Sequence, residues 1–248
     1  MTTEVSEKSA GISSGSLKII AIITMLIDHI GAAVLWRYLN FMGDWSLYPL
    51  YYAMRQIGRI AFPIYCFTLI EGLERTRHRG KYLGRMFAFA LISEIPFDLA
   101  FKSQVIEFAY QNVFFTLTIA LAAMIGLEWV REKVKSSIGQ SVFNVLITAA
   151  AMGLAYIMQT DYDCLGVCCI LVMYFLRKNR KAELIAGYVA FLILLGEWAA
   201  FPAFIALAFY RGRKGVSAKY FFYGFYPAHL LILYVVCVIM GIASIPAV

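Results

Sequence analysis

Charge is what this chain has least of: Lys, Arg, Asp and Glu make up 15% of its 248 residues, against roughly 25% in a soluble domain. With 62% of the residues apolar, an ordinary soluble enzyme is excluded. Histidine occurs only three times, and the five cysteines (Cys66, Cys164, Cys168, Cys169, Cys237) are odd in number and lack His at zinc-finger spacing. Cys164 and Cys168 share a helix face, but small-residue packing is their expected role and no metal is expected. The Lys and Arg residues behind the net charge of +7 lie between hydrophobic runs and form no continuous basic stripe, so no nucleic-acid partner is expected. The first 16 residues are polar, include Glu4 and Glu7, and carry no basic region or small-residue cleavage site. A cytoplasmic tail over 1–16 followed by an uncleaved first helix is expected.

What is present is hydrophobic length. Apolar runs fall near 17–37, 57–74, 82–101, 112–130, 141–158, 163–177, 182–196, 198–210 and 220–246. A membrane-crossing helix takes about 20 residues, so the runs predict an all-α polytopic transmembrane bundle, with 17–248 as a single domain of about nine spans (eight to ten). Segment 38–56, with Asn40, Gly43, Asp44 and Pro49, is the long connection, and its aromatic residues suit a stretch lying in the membrane interface. Basic clusters at Arg75–Lys81, Arg131–Lys135, Arg177–Lys181 and Arg211–Lys219 each follow an even-numbered run. The positive-inside rule then puts all four in the cytoplasm, the N-terminus inside and the C-terminus outside a bacterial plasma membrane. The same parity requires 182–210 to be two short spans turning around Gly196, Glu197 and Pro202.

Ionisable residues inside spans are costly and so mark a partner or a task. Asp28 and His29 fall in the first run, Arg59 and Glu71 in the second, Arg85, Glu94 and Asp98 in the third, and His229 in the ninth. At about 1.5 Å per residue, His29, Glu94 and His229 lie roughly 18, 20 and 15 Å in from the cytoplasmic ends of their runs. One shared cavity at mid-depth is expected. Glu94 and Asp98, four apart, share a face, whereas the adjacent Asp28 and His29 point about 100° apart. Glu94 is therefore the expected partner of His29, and Arg59 or polar backbone that of Asp28.

A neutral histidine held at one nitrogen by a carboxylate can take a proton from an amine or hydroxyl with the other, as acyl transfer requires. An anionic thioester donor such as acetyl-CoA would be drawn to the basic rim, where Arg75, Arg85 and Arg177 stand. Asp161-Tyr162-Asp163 reads as a solvated turn, and His78 as a solvated loop residue. Intramembrane Asp, Glu and His also suit a proton-coupled transporter, and a structural subunit of a conjugation or secretion assembly is the third reading. No internal repeat favours a transporter of inverted halves.

These residues also occur as ordered strings: Leu17-Lys18-Ile19-Ile20-Ala21 with Met25 and Asp28-His29-Ile30-Gly31; Ile57-Gly58-Arg59-Ile60-Ala61-Phe62-Pro63; Glu71-Gly72 with Thr76; Ser93-Glu94-Ile95-Pro96-Phe97-Asp98; Asn112 with Phe114-Phe115-Thr116-Leu117; and Asp161-Tyr162-Asp163 with Gly166-Val167. Together, from about residue 16 to about 235, they resemble the TraX family of membrane proteins, named for conjugal transfer and associated with acetylation of the pilin N-terminus. The resemblance implies a membrane acyltransferase using acetyl-CoA or a similar thioester; the family is similar, more distantly, to other multi-span acyltransferases in which a first-helix histidine is essential, and His29 matches that position. Asp28, Arg59, Glu71, Glu94, Asp98 and Asn112 match other polar motif positions. The expected roles are catalytic for His29, Asp28 and Glu94, and donor-binding for Arg59, Arg75, Arg85 and Arg177. Glu71, Asp98, Asn112, Asp163 and His229 are expected to bind substrate or to be structural. The acceptor, a protein N-terminus, a sugar or a lipid, stays open, and Arg59 or Asn112 is the expected oxyanion donor.

Overall fold

A computed structural model describes residues 11–213, 215 and 219–247. Glu4, Glu7 and Lys214 lie outside the described residues. The described chain is helical, without strands among the described residues: α1 Ser14–His29, a π-helical stretch Ile30–Leu35, α2 Trp36–Met42, α3 Tyr48–Gly58, α4 Ala61–Arg75, α5 Arg79–Lys102, α6 Val113–Lys133, α7 Ser137–Met158, α8 Asp163–Leu176, α9 Arg180–Leu194, a 3-10 turn Trp198–Ala200, α10 Phe201–Ala208 and α11 Lys219–Ile239. Among the described residues, four helical stretches are long and apolar enough to cross a membrane: Ser14–Met42, Val113–Lys133, Ser137–Met158 and Tyr220–Ile239.

The first helix is longer than its apolar run, because the π-helical stretch joins α1 to α2 without a break. Gly43, in the left-handed conformation at φ 66°, stops it. The stretch expected to lie in the interface instead folds back as α3, with Pro49 in its first turn where a missing N–H costs nothing. Trp36, Trp45, Tyr48 and Tyr51 form an edge-to-face and tilted cluster at this turn. Helix α3 packs on α1 at very close range. A Cβ on Gly58 would lie 2.2 Å from Asp28 Oδ1, so only glycine permits the approach. A turn at Arg59 and Ile60 then leads into α4, so α3 and α4 form one broken traverse of the molecule.

The core lies where α4, α6 and α8 meet, with Ile64, Phe67, Leu121, Met124, Ile170 and Met173 buried among them. Helix α7 packs on α6 and α8 and leaves Ile138, Val145, Leu146, Tyr156 and Ile157 exposed. That apolar outer face is stable only against lipid. Helices α9 and α10 turn at Gly196 (φ 69°) and pack through Phe191 and Tyr188 against Phe204, the hairpin that the charge parity predicts. After α11 the chain folds back, and Ala247 N–H donates to the Phe101 carbonyl at 3.0 Å. The basic clusters at Arg75–Lys81, Arg131–Lys135 and Arg177–Lys181 come together at one end of the bundle, tied by Arg177 to Glu74 and Glu128 and by Arg79 to Glu132.

Candidate active site between two cavities

Among the described residues, two neighbouring cavities enter the bundle. The one near the basic end, about 250 Å³, is lined by Lys18, Thr68, Gly72, Thr76, Tyr82 and Arg85 among others. The one toward the opposite end, about 360 Å³, is lined by Asp28, His29, Arg55, Arg59, Asp161 and Tyr162 among others. Met25, Tyr65, Val113 and Tyr226 line both and therefore form the partition between them. The partition is thin and apolar, with the Tyr65 hydroxyl donating to Met25 Sδ at 3.8 Å.

His29 stands at the partition on the larger cavity, at the last residue of α1, wedged edge-on against Phe101 and Tyr226 with ring centroids 5.4 and 6.0 Å away. Its Nδ1 lies 2.7 Å from Nε2 of His229 on α11, and His229 Nδ1 lies 2.8 Å from the Phe225 carbonyl oxygen. The depth argument thus brings the two histidines together, but the partner of His29 is His229 and not Glu94. Glu94 accepts instead from the backbone N–H and side-chain amide of Asn112. Asn112 caps α6, accepting from Phe114 N–H at 3.0 Å and donating to the Ala90 carbonyl at 2.9 Å. Its amide is therefore committed, which removes it as an oxyanion donor. Asp98, fully buried, accepts from Glu107 N–H at 2.8 Å. Glu94 and Asp98 do share a face, and what it carries is the loop from Ser103 to Asn112, folded back into the bundle.

Asp28 pairs with Arg55 of α3 at 2.6 Å rather than with Arg59. Arg59 binds Glu197 at 3.0 Å, beyond the hairpin turn, and lines the His29 cavity, so it is not part of the basic rim where a donor site was expected. Burial pushes the Glu197 carboxyl up to about 7, against the opposing pull of Arg59. Asp161 accepts from the Tyr110 hydroxyl at 2.7 Å, and Thr116 donates to its backbone carbonyl. Burial also raises the Asp161 carboxyl above its ordinary range, opposed by Tyr110, Arg59 and Arg55. This loop is therefore a wall of the cavity and not a solvated turn. Tyr162 stacks on Phe62 at 3.7 Å between centroids, while Asp163 starts α8 and lines neither cavity.

The other expected donor residues separate. Arg85 lines the basic-end cavity, its guanidinium 5.7 Å from the Tyr82 ring centroid and its Nε without a hydrogen bond among the described residues. Arg75 is spent on Glu71, the Tyr210 hydroxyl and the Gly212 carbonyl, and Glu71 accepts in turn from Tyr210. Arg177 is spent on Glu74 and Glu128 and stacks on Tyr174. Both are ties between helices and line neither cavity. Arg55, Asp161 and Tyr162 are the site residues that the hydropathy argument passes over, because they sit between apolar runs. Gly58 beside Asp28 is the one local signal that α3 must return to α1.

The family model described as TraX protein matches residues 13–237. The chain belongs to the TraX family. It is also similar to "Probable fimbrial assembly protein FimC, serogroup H1" of Dichelobacter nodosus, 34% identical over 249 aligned positions that cover 89% of this chain and 94% of that protein. No solved structure matches. The match to the TraX family takes in every residue of both cavities, so the partition and the paired histidines lie within the part that this chain shares with its family.

Proposed function

We propose that this TraX-family protein is an acyltransferase of the bacterial plasma membrane, moving an acetyl or other short acyl group from a cytoplasmic CoA thioester to an amine or hydroxyl acceptor on the far side. In this reading the basic end faces the cytoplasm and nine spans would leave the C-terminus outside, and the name of the relative, a probable fimbrial assembly protein, favours an acceptor belonging to a fimbrial assembly. The observation that carries the reading is the pair of cavities, one with cationic Lys18 and Arg85 and one with His29, separated only by Met25, Tyr65, Val113 and Tyr226.

The donor's anionic groups would meet Lys18 and Arg85, with the thioester end pointing at the partition. His29 removes the acceptor's proton as the acceptor oxygen or nitrogen bonds to the thioester carbonyl carbon. The carbon–sulfur bond breaks, and the departing thiolate takes that proton. Arg55, Arg59 and Lys102 are cations lining the His29 cavity, and in this reading they oppose the negative charge that builds on the carbonyl oxygen. Labelled acetyl-CoA added to inside-out membrane vesicles containing the protein tests the reading. Label should move covalently onto envelope material, and His29→Gln should lower the rate by about 10² to 10⁴. Transfer by His29→Gln at the parental rate would refute it.

A further inference from the structure

The geometry points to His229 as a positioning residue that fixes the tautomer of His29 and takes up its second proton during transfer, a role that rests on the acyltransferase reading. A carbonyl oxygen only accepts, so the 2.8 Å contact at the Phe225 carbonyl puts a proton on His229 Nδ1. In a neutral imidazole the other nitrogen then carries a lone pair, and His229 Nε2 must accept. The donor to it across 2.7 Å is His29 Nδ1–H. His29 Nε2 is left with its lone pair, and no hydrogen bond to it occurs among the described residues. One backbone carbonyl thereby determines which atom of a residue on another helix acts as the base.

The arrangement is held from three sides. Phe225 and His229 are four apart on α11, so the accepting carbonyl lies in the turn directly beneath the ring. The Phe225 ring stacks on His229 with centroids 4.9 Å apart, and Tyr226 meets both histidines edge-on. The two imidazole planes lie within 4° of each other. When His29 Nε2 gains the acceptor's proton, its Nδ1 proton can pass to His229 Nε2, leaving the positive charge on His229 beside the Phe225 carbonyl. The transfer reverses when His29 gives its Nε2 proton to the departing thiolate, so no proton is gained or lost overall. A carboxylate in the same place would orient His29 but leave a fixed negative charge in mid-membrane. The second imidazole is neutral at rest and so avoids that cost.

Two measurements test this. With labelled acetyl-CoA, His229→Leu should lower kcat by about 10² to 10³ and leave KM for acetyl-CoA within about twofold of the parent. His229→Gln, whose amide oxygen still accepts from His29 Nδ1 but cannot take its proton, should recover about tenfold of that loss. Leucine at the parental kcat, or glutamine as fast as the parent, would overturn the relay, and glutamine no better than leucine would overturn the positioning of His29. The second measurement needs no activity. The chain has three histidines, so 15N-histidine NMR of the purified protein resolves each, with His29→Gln and His229→Leu giving the assignments. Both His29 and His229 should appear as neutral Nδ1–H tautomers, and an Nε2–H signal from His29 would overturn the assignment. If the parent moves no label while both tautomers are as stated, the acyltransferase reading fails and the tautomer assignment stands.

Discussion

Arg37 makes the most demanding prediction about how this bundle is held together. It is fully buried, on the short α2 segment, and among the described residues no carboxylate pairs with it. Its Nε donates to the Ile245 carbonyl at 2.5 Å, Nη1 to the Ala100 and Ala33 carbonyls at 2.6 and 3.1 Å, and Nη2 to Ser103 Oγ at 2.8 Å. One guanidinium thus joins the first helix, the C-terminal turn of α5 and the chain after α11. A buried charge is often replaceable by an apolar group when both partners change together. Here three of the four oxygen partners are backbone carbonyls, which no substitution removes. Arg37→Met keeps the stem but strands Ala100 O, at a helix end where no intrahelical donor exists, and Ile245 O. At about 1–3 kcal/mol for each buried acceptor left unmade, the loss is about 2–6 kcal/mol. Relief of the desolvated charge offsets part of it, so we expect a net loss of about 2–4 kcal/mol and a Tm lower by roughly 5–15 °C for a chain of this size. A thiol-reactive fluorophore reads this directly in detergent, because Cys66, Cys169 and Cys237 are buried free thiols and Cys237 Sγ lies 3.6 Å from the guanidinium. Unfolding of Arg37→Met at or above the parental temperature would show that the carbonyl bonds do no more than balance the charge's desolvation.

Two further substitutions separate close packing from donor binding. Gly58→Ala places a methyl 2.2–2.4 Å from three atoms of Asp28, so it should cost about 1–3 kcal/mol by overpacking, lower the Tm and reduce acyl transfer, whereas Gly153→Ala, with open space around it, should leave both unchanged; equal behaviour of the two would refute the close approach of α3 to α1. Arg85→Gln should raise KM for acetyl-CoA by about tenfold, the order of one lost charge-assisted contact, while Arg75→Gln should lower the Tm and leave that KM within twofold, and the reverse pattern would move the donor site from the cavity to the rim.

Much of the helical layout is legible in the hydropathy, and the α9–α10 hairpin follows from charge parity, because both rest on one-dimensional regularities that the membrane imposes. The depth count brings His29 and His229 to one level for the same reason: rise per residue is fixed. Partner choice is another matter. Glu94 has the right depth and chemistry for His29, yet the loop after α5 folds back and delivers Asn112 to it, and no spacing rule reports where a loop returns. Arg37 closes an apolar run, and nothing in the hydropathy reports that the chain after α11 covers it. Arg55 and Asp161 fail to stand out because connections between runs read as interfacial or solvated, whereas these two re-enter the bundle. The basic rim misleads in the other direction. Arg75 and Arg177 bind neighbouring helices, and their number says nothing about a ligand.

The π-helical stretch between His29 and Trp36 has a consequence for the chain's evolution. A wider turn accommodates a residue beyond α-helical register, and each such residue changes the face that the following segment presents by about 100°. The first helix therefore has two phases, one that aims His29 at the cavity and one that aims Arg37 at the ends of α5 and α11. Deleting a single residue within Ile30–Leu35 would leave the first phase in place and rotate the second, withdrawing the guanidinium from its carbonyls. Length in this six-residue stretch should thus be far less tolerant of change than composition, a constraint that operates on register and is blind to hydrophobicity.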